Sequence, residues 1–157
     1  MQSMKINILS IGKFENSPHK LVFDNYLKRI KWKVNLCEIE LRNSDKLSLL
    51  ERKKGEGDLI LKHYKPESQM IVCDENSNQP TSQEFAKMIA EFGVQGLSKI
   101  TFVIGGSDGL CEEILKKAKY KIAFGKITLP HLMVRCILIE QLYRAQTIIA
   151  GHPYHRQ

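Results

Sequence analysis

The last residues of the chain, GHPYHRQ (151–157), concentrate side chains that can do chemistry. An imidazole such as His155 can exchange a proton, a guanidinium such as Arg156 can contact a phosphate, and the ring of Tyr154 can stack on a base. A frayed polar tail without function is the alternative on composition alone. The residue types therefore make this tail a candidate for contact with a nucleic acid.

Two glycine-containing loops are candidates for a binding pocket. The segment IGGSDGL (104–110) follows a predicted strand, and GKITLPH (125–131) lies between another predicted strand and the last helix. Ligands bind at the carboxyl ends of strands in an open α/β sheet, so the two loops can face one another. Their backbone groups can then read an adenine edge without a charged side chain. A tight turn in the first loop and a proline turn in the second are the structural alternatives.

Neither loop contains an established nucleotide-binding motif. The first loop is not G-x-G-x-x-G, and it lacks the Lys-Ser/Thr pair of a phosphate-binding P-loop. A dinucleotide-binding oxidoreductase is therefore disfavoured.

Alternating strands and helices must position these loops. Apolar and β-branched runs predict five strands, at 5–11, 34–41, 70–73, 100–104 and 121–124. Helical spacing predicts helices after the Ser17-Pro18 cap, behind the Thr81-x-x-Glu84 capping box, and from about 131 to 150. This alternation predicts an α/β fold with a mostly parallel sheet and helices on both faces. No repeat or linker divides the chain, so we expect a single domain (1–157).

Two further expectations concern helices. A polar helix is expected from about Ser44, with Gly55 and Gly57 interrupting it. The last helix is apolar almost all round, which is typical of a core centre or of a subunit interface. Its place at the C-terminal edge of a small domain favours the interface.

The charge and the cysteines narrow the class of protein. The net charge is +7, which suits a polyanionic partner, although a soluble protein that happens to be basic stays open. The four cysteines form no Cys-x-x-Cys pair and lie among apolar residues, so we expect buried free thiols in a reducing cytosol.

The histidines lack metal-ligand spacing, so no metal is expected.

No run of residues approaches the roughly 20 apolar positions that span a bilayer, and the chain does not open with a signal-peptide pattern. We therefore expect no membrane partner and a cytoplasmic location. Residues 1–3, ahead of Met4, are interpreted as an extension from an early start.

Four ordered motifs together carry a family resemblance. They are IGGSDGL (104–110), TLPHLMVR (128–135), EQLYRA (140–145) and HPYHR (152–156), and MKINILSIGK (4–13) adds to them. In this order they closely resemble the SPOUT-class methyltransferases, and among these the bacterial enzymes that methylate N3 of a pseudouridine in 23S ribosomal RNA. The resemblance covers nearly the whole chain.

The resemblance implies a fold and a cofactor that periodicity cannot give. It implies a deep trefoil knot at the C terminus, with residues 101–157 forming the knot and dimer region, and a homodimer. It implies S-adenosylmethionine as the cofactor and 23S rRNA in the assembled ribosome as the partner. The residues implied to contact the cofactor are Cys73, Gly105, Gly106, Gly125, Lys126, Ile127, Thr128, Leu129 and Pro130. Cys73 stands where relatives usually carry leucine, which weakens it as a contact.

The methylated nitrogen must lose a proton, so the tail residues acquire candidate catalytic roles. His155 is the candidate proton acceptor, Arg156 stabilises an anion or a phosphate, and Tyr154 stacks or donates a hydrogen bond. Glu140 and Arg144 are four residues apart and predict a helix ion pair rather than catalytic groups. Two alternatives stay open: a non-catalytic RNA-binding or ribosome-assembly factor, and a nucleotide-binding oxidoreductase.

Overall fold

The computed structural model describes residues 3–156 and is built on one five-stranded sheet. The strands are β1 (Lys5–Ile11), β2 (Lys33–Ile39), β3 (Gln69–Asn78), β4 (Lys99–Ile104) and β5 (Tyr120–Ile122). The helices are α1 (Pro18–Leu27), α2 (Leu49–His63), α3 (Ser82–Val94), α4 (Glu112–Lys117) and α5 (His131–Ala150), with a short 3-10 helix at Ser44–Lys46. Of the predicted extension at residues 1–3, positions 1 and 2 lie outside the described residues.

The strand order is β2-β1-β4-β3-β5, and every pairing between these strands is parallel. The prediction of a mostly parallel sheet is therefore confirmed. All the carboxyl ends of the strands meet at one edge, which is where a ligand binds in this architecture.

Helices cover both faces of the sheet, as predicted. One apolar cluster joins the sheet to α1, α3 and α5 through Phe23, Ile89 and Leu142. A second cluster joins the other face to α2 and α4 through residues such as Ile60 and Ile114. Adjacent side chains of a strand point to opposite faces, so neighbouring residues of β4 belong to different clusters.

Local signals place three helices correctly. The helix α1 begins at Pro18 in the first position, and α3 begins behind Thr81, whose capping box with Glu84 is complete. The helix α5 spans His131–Ala150, the range expected from the sequence.

The start of the polar helix was predicted wrongly. Residues Ser44–Lys46 form the 3-10 turn, and α2 begins only at Leu49. Ser48 and Glu51 form the capping box that fixes this start, because each side chain bonds the other's backbone N–H.

The expected interruption by glycines was also wrong, since α2 is continuous to His63. The two glycines let other elements approach the helix. A Cβ on Gly55 would lie 2.9 Å from Cδ2 of Leu41, and one on Gly57 would collide with Sγ of Cys111. The lack of a side chain at these two positions allows close packing against α2 and does not interrupt the helix.

The strand β3 runs beyond the predicted end at Cys73. Its pairing with β5 shifts register between Cys73 and Asn78, so the chain arches outward and returns. The backbone N–H of Ala123 donates to the carbonyl of Asn78 at 2.7 Å, and Ser77 donates to Asp74 at 3.0 Å. The arch lifts its residues above the carboxyl edge of the sheet.

The helix α5 runs antiparallel to the strands. Near its start, Arg135 donates to the carbonyls of Ile11 and Gly12 at the end of β1. Near its end, the Gln146 side chain accepts from the backbone N–H of Lys31, just before β2. The helix therefore begins at the carboxyl edge of the sheet and ends at the opposite edge.

Much of the apolar surface of α5 is buried within one chain, where Leu138, Ile139 and Leu142 are fully inaccessible. The core alternative thus accounts for most of its composition. In the described part of the chain, no helix is both long enough and apolar enough to cross a membrane.

Candidate active site

A cavity of about 700 Å³ opens at the carboxyl edge of the sheet, where β3, β4 and β5 end and α5 begins. Its floor is a row of three residues in register across these strands, Cys73, Ile104 and Ile122. The two glycine loops form facing walls. The volume lies in the range typical of small-molecule sites.

Most residues predicted to hold a cofactor surround this cavity. Eight of the nine line it, namely Cys73, Gly105, Gly106, Gly125, Ile127, Thr128, Leu129 and Pro130. Lys126 is not among the described residues that line it. The two loops follow β4 and β5, which lie on either side of β3 in the sheet, so they flank the cavity from two sides.

Gly105 and Gly106 of the first glycine loop lie close to neighbouring atoms. A Cβ on Gly105 would lie 3.0 Å from Cδ2 of Leu110, and one on Gly106 would lie 3.2 Å from Cγ2 of Ile11. The N–H of Gly109 donates to the carbonyl of Gly106 at 3.1 Å and closes the turn. At Gly105 and Gly106 the wall is therefore formed by backbone atoms.

Charged groups of α2 support the same loop from behind. Arg52 donates to the Asp108 carboxylate at 2.6 Å. The Glu56 carboxylate is buried against Gly106, and one of its oxygens has no hydrogen-bond partner among the described residues. Burial and the nearby Asp108 raise the pKa of Glu56, while Arg52 partly offsets them.

Three charged residues of the cavity wall were missed from the sequence. Lys53 reaches it from α2, and Asp74 and Glu75 reach it from the arch of β3. No spacing motif marks them, because they meet the loops only through packing. The end of the apolar run at Cys73 was the one available signal for the two acids.

The thiol of Cys73 lies on the cavity floor, and its burial raises the pKa to about 12. The group is therefore a neutral, weakly polar surface at neutral pH.

The start of α5 is fixed by a buried arginine. Arg135 is fully inaccessible, and its guanidinium donates to Glu38 at 3.0 Å and lies 4.6 Å from the ring centre of Phe14. One turn earlier, His131 lines the cavity, and burial together with the Arg135 charge lowers its pKa. An arginine on α5 thus sets the position of a cavity wall.

The predicted catalytic tail folds back along the second half of α5. The Tyr154 hydroxyl donates to Glu140 at 3.1 Å, and Nδ1 of His155 lies 3.1 Å from Arg144. Arg156 is exposed. Glu140 and Arg144 form the predicted helix ion pair, at 2.6 Å. Burial, with hydrogen bonds to Tyr26 and Glu140, raises the pKa of Tyr154, so its hydroxyl stays protonated.

Within one chain the tail does not enter the cavity. None of Tyr154, His155 and Arg156 is among the described residues that line it. The cavity reaches α5 at His131 and Val134, whereas the tail contacts begin at Glu140. Val134 and Glu140 lie six residues apart, which is about 9 Å along a helix axis.

Comparison with known proteins identifies the family. A sequence model described as "Predicted SPOUT methyltransferase" matches residues 4–155, which include both loops and the tail as far as His155. The chain belongs to the SPOUT methyltransferase family.

Relatives of this SPOUT methyltransferase match it over nearly its whole length. Proteins named ribosomal RNA large subunit methyltransferase H from Clostridium botulinum (strain Kyoto / Type A2) and Clostridium tetani (strain Massachusetts / E88) are 43% and 40% identical to it. Each alignment covers 98% of this chain and 100% of the relative. The family resemblance carried by the four motifs is therefore confirmed.

A solved structure gives the same fold at low identity. A probable methylase family protein from Haemophilus influenzae Rd KW20 superposes with a TM-score of 0.59 and 16% identity. The match covers 98% of this chain and 71% of the other, and it bears on the fold alone.

The SPOUT methyltransferase has no disulfide among its described residues, where all four cysteines are free. The described residues also contain no group of three or more His, Cys, Asp or Glu side chains that could hold a metal ion.

Proposed function

We propose that this SPOUT methyltransferase transfers a methyl group from S-adenosylmethionine to N3 of a pseudouridine in 23S rRNA of the assembled ribosome. One observation carries the proposal: a cavity of about 700 Å³ whose walls are the two family loops. The full-length similarity to proteins named ribosomal RNA large subunit methyltransferase H supports an RNA substrate. That substrate implies work in the cytoplasm.

The residues of the cavity fit S-adenosylmethionine. The apolar floor of Cys73, Ile104 and Ile122 suits the face of an adenine, whose edge can bond backbone groups of the glycine loops. Asp74 and Glu75 can accept from ribose hydroxyls or from the ammonium group, while Lys53 can pair with the carboxylate. When bound, this cofactor supplies a methyl group on a positively charged sulfur.

The side chains of the tail act on the acceptor base. His155 takes the proton that leaves N3, and Arg156 stabilises the resulting negative charge or a neighbouring phosphate. Tyr154, which stays protonated, stacks on the base or donates a hydrogen bond. In-line placement of the nitrogen behind the methyl group supplies much of the remaining acceleration.

The tail and the cavity meet between two copies of the chain. The tail lies outside the cavity of its own chain, so a complete site needs the tail of a second copy. Exposed apolar side chains of α1 and α5 suit such a contact: Leu21 and Val22 of α1 are 75% and 46% exposed, and Met133 of α5 is 39% exposed. We therefore propose a homodimer, together with the C-terminal trefoil knot expected of the family.

A non-catalytic RNA-binding or assembly factor is the second candidate, favoured only by the net charge of +7. It predicts RNA binding that is independent of the cofactor. Membership of the methyltransferase family disfavours the oxidoreductase alternative.

The decisive experiment measures methyl transfer from labelled S-adenosylmethionine to 70S ribosomes that lack the modification, with free 23S rRNA in parallel. Label at N3 of a pseudouridine in the ribosomes alone is expected. Cofactor binding without label on either substrate would overturn the proposed acceptor, and RNA binding without cofactor binding would favour the assembly factor.

A further inference from the structure

An exposed arginine at the end of α1 lies on a cluster of three tyrosines. The tyrosine cluster consists of Tyr26, Tyr143 and Tyr154, with ring centres 6.1 Å apart for the first pair and 4.7 Å apart for the second. The Cζ atom of Arg29 lies 4.3 Å from the ring centre of Tyr143 and 5.6 Å from those of Tyr26 and Tyr154. Through this cluster, Tyr154 of the tail lies against residues at the end of α1.

The guanidinium of Arg29 is held in place but retains free donors. Nη2 donates to the Tyr143 hydroxyl at 3.2 Å. Within residues 3–156, the ion pairs of the chain do not include Arg29, so no carboxylate neutralises it. Stacking on aromatic rings fixes the plane of a guanidinium and leaves its edge available for a phosphate.

The surroundings of Arg29 favour an anionic ligand. Lys28 and Lys31 flank it and are exposed. Arg144, whose Cζ lies 4.8 Å from the centre of the Tyr154 ring, is already neutralised by Glu140. Among the described residues of this surface, Arg29 is therefore the cation that lies on aromatic rings without a carboxylate partner.

We propose that Arg29 binds a backbone phosphate of the RNA beside the nucleotide that the tail engages. The inference rests on the proposed function, because it assigns an RNA contact to the tail region of the same site. Alternating aromatic and basic side chains are typical of surfaces that hold unpaired nucleotides, since rings stack on bases and cations bind phosphates. The tyrosine cluster orients the Arg29 side chain, and Arg29 in turn positions the RNA backbone.

Two substitutions separate a phosphate contact from a packing role. Arg29→Lys keeps the charge, and Arg29→Met keeps an unbranched side chain on the tyrosines without the charge. Lys62→Ala is the matched control, because it removes one exposed positive charge from α2 on the opposite face of the sheet. Binding to 70S ribosomes that lack the modification is measured over a range of salt concentrations.

Arg29→Met is expected to weaken binding about three- to tenfold and to reduce the slope of log affinity against log salt by about 0.7 to 0.9, the value for one phosphate contact. Arg29→Lys should retain the slope, and Lys62→Ala should change neither quantity. In methyl transfer, Arg29→Met should raise the KM for ribosomes and leave kcat unchanged.

An unchanged salt slope in Arg29→Met, or an equal effect of Lys62→Ala, would overturn the inference. Equal loss of kcat in both Arg29 variants would assign the residue to packing of the tail instead. The binding measurement does not require methyl transfer, so failure of the proposed acceptor and failure of the Arg29 contact are distinguished.

Discussion

Burial controls the protonation of side chains around the cavity. Glu56 is packed behind Gly106 with an unpaired oxygen, and its pKa is raised above the ordinary 4.5. A raised pKa means that the native state binds the proton more tightly than the unfolded state does. The ionised carboxylate therefore costs stability above about pH 4.5, and this cost disappears below it.

We expect Glu56→Gln to increase the free energy of unfolding at pH 8 and to have no such effect at pH 4. The variant resembles the protonated side chain and removes the cost of a buried charge. Urea unfolding at the two pH values measures the difference. A loss of stability at pH 8 would show that the carboxylate has a stabilising partner.

Glu51→Gln, on the same helix, is a control of opposite sign. Hydrogen bonds from the backbone and side chain of Ser48 lower the pKa of Glu51, so its ionised form contributes stability above pH 4.5 and loses it as the pH falls. This variant should destabilise the protein at pH 8, and the difference should vanish at low pH. The same effect in both glutamate variants would contradict the assigned burial.

The thiol on the cavity floor gives a second prediction for a single residue. Because the pKa of Cys73 is raised to about 12, we expect it to resist alkylation by iodoacetamide at pH 7.5 in the native protein. Peptide mass spectrometry measures the modification, with the protein unfolded in urea as the control in which all four cysteines react. Early reaction at Cys73 in the native protein would contradict a desolvated thiol.

The elements could be predicted where their signals are local. The capping box at Thr81 and Pro18 at the start of α1 fixed two helix ends, and the apolar run before the first glycine loop marked β4. The strand order could not be derived this way, because the partners Lys5 and Lys99 lie far apart in sequence. Likewise, the two loops could be assigned to a pocket, whereas Lys53 enters it only through the packing of α2.

Replacing a helical glycine by alanine is expected to have opposite effects on stability in α2 and in α3. Gly57 of α2 packs against Cys111, whereas a Cβ on Gly93 of α3 would meet only Sδ of Met4, at an ordinary 3.8 Å. Gly57→Ala should therefore destabilise the protein by about 1–3 kcal/mol through overpacking. Gly93→Ala should stabilise it by up to about 1 kcal/mol through helix propensity. Urea unfolding compares the two, and equal effects would refute the packing explanation for α2.

At the scale of the whole molecule, the separation of tail and cavity predicts complementation between two inactive variants. Leu129→Arg blocks the cavity, and His155→Ala removes the proposed proton acceptor. If each site combines one chain's cavity with the other's tail, a coexpressed equal mixture should recover about a quarter of the wild-type sites, since random pairing leaves one intact site in each mixed dimer. Labelled methyl transfer measures the recovery. No recovery, with mixed dimers present, would place the whole site in one chain.

The central position of β4 also determines when the sheet can form during synthesis of the chain. The strand pairs with β1 on one side and β3 on the other, so both neighbours leave the ribosome before the strand that joins them. Until Ile104 has emerged, a nascent chain holds two apolar edges that have no common partner. Closing the sheet then requires long-range pairing, which is slow and leaves strand edges open to aggregation. The N-terminal half of this protein therefore cannot complete its sheet before β4 has been synthesised.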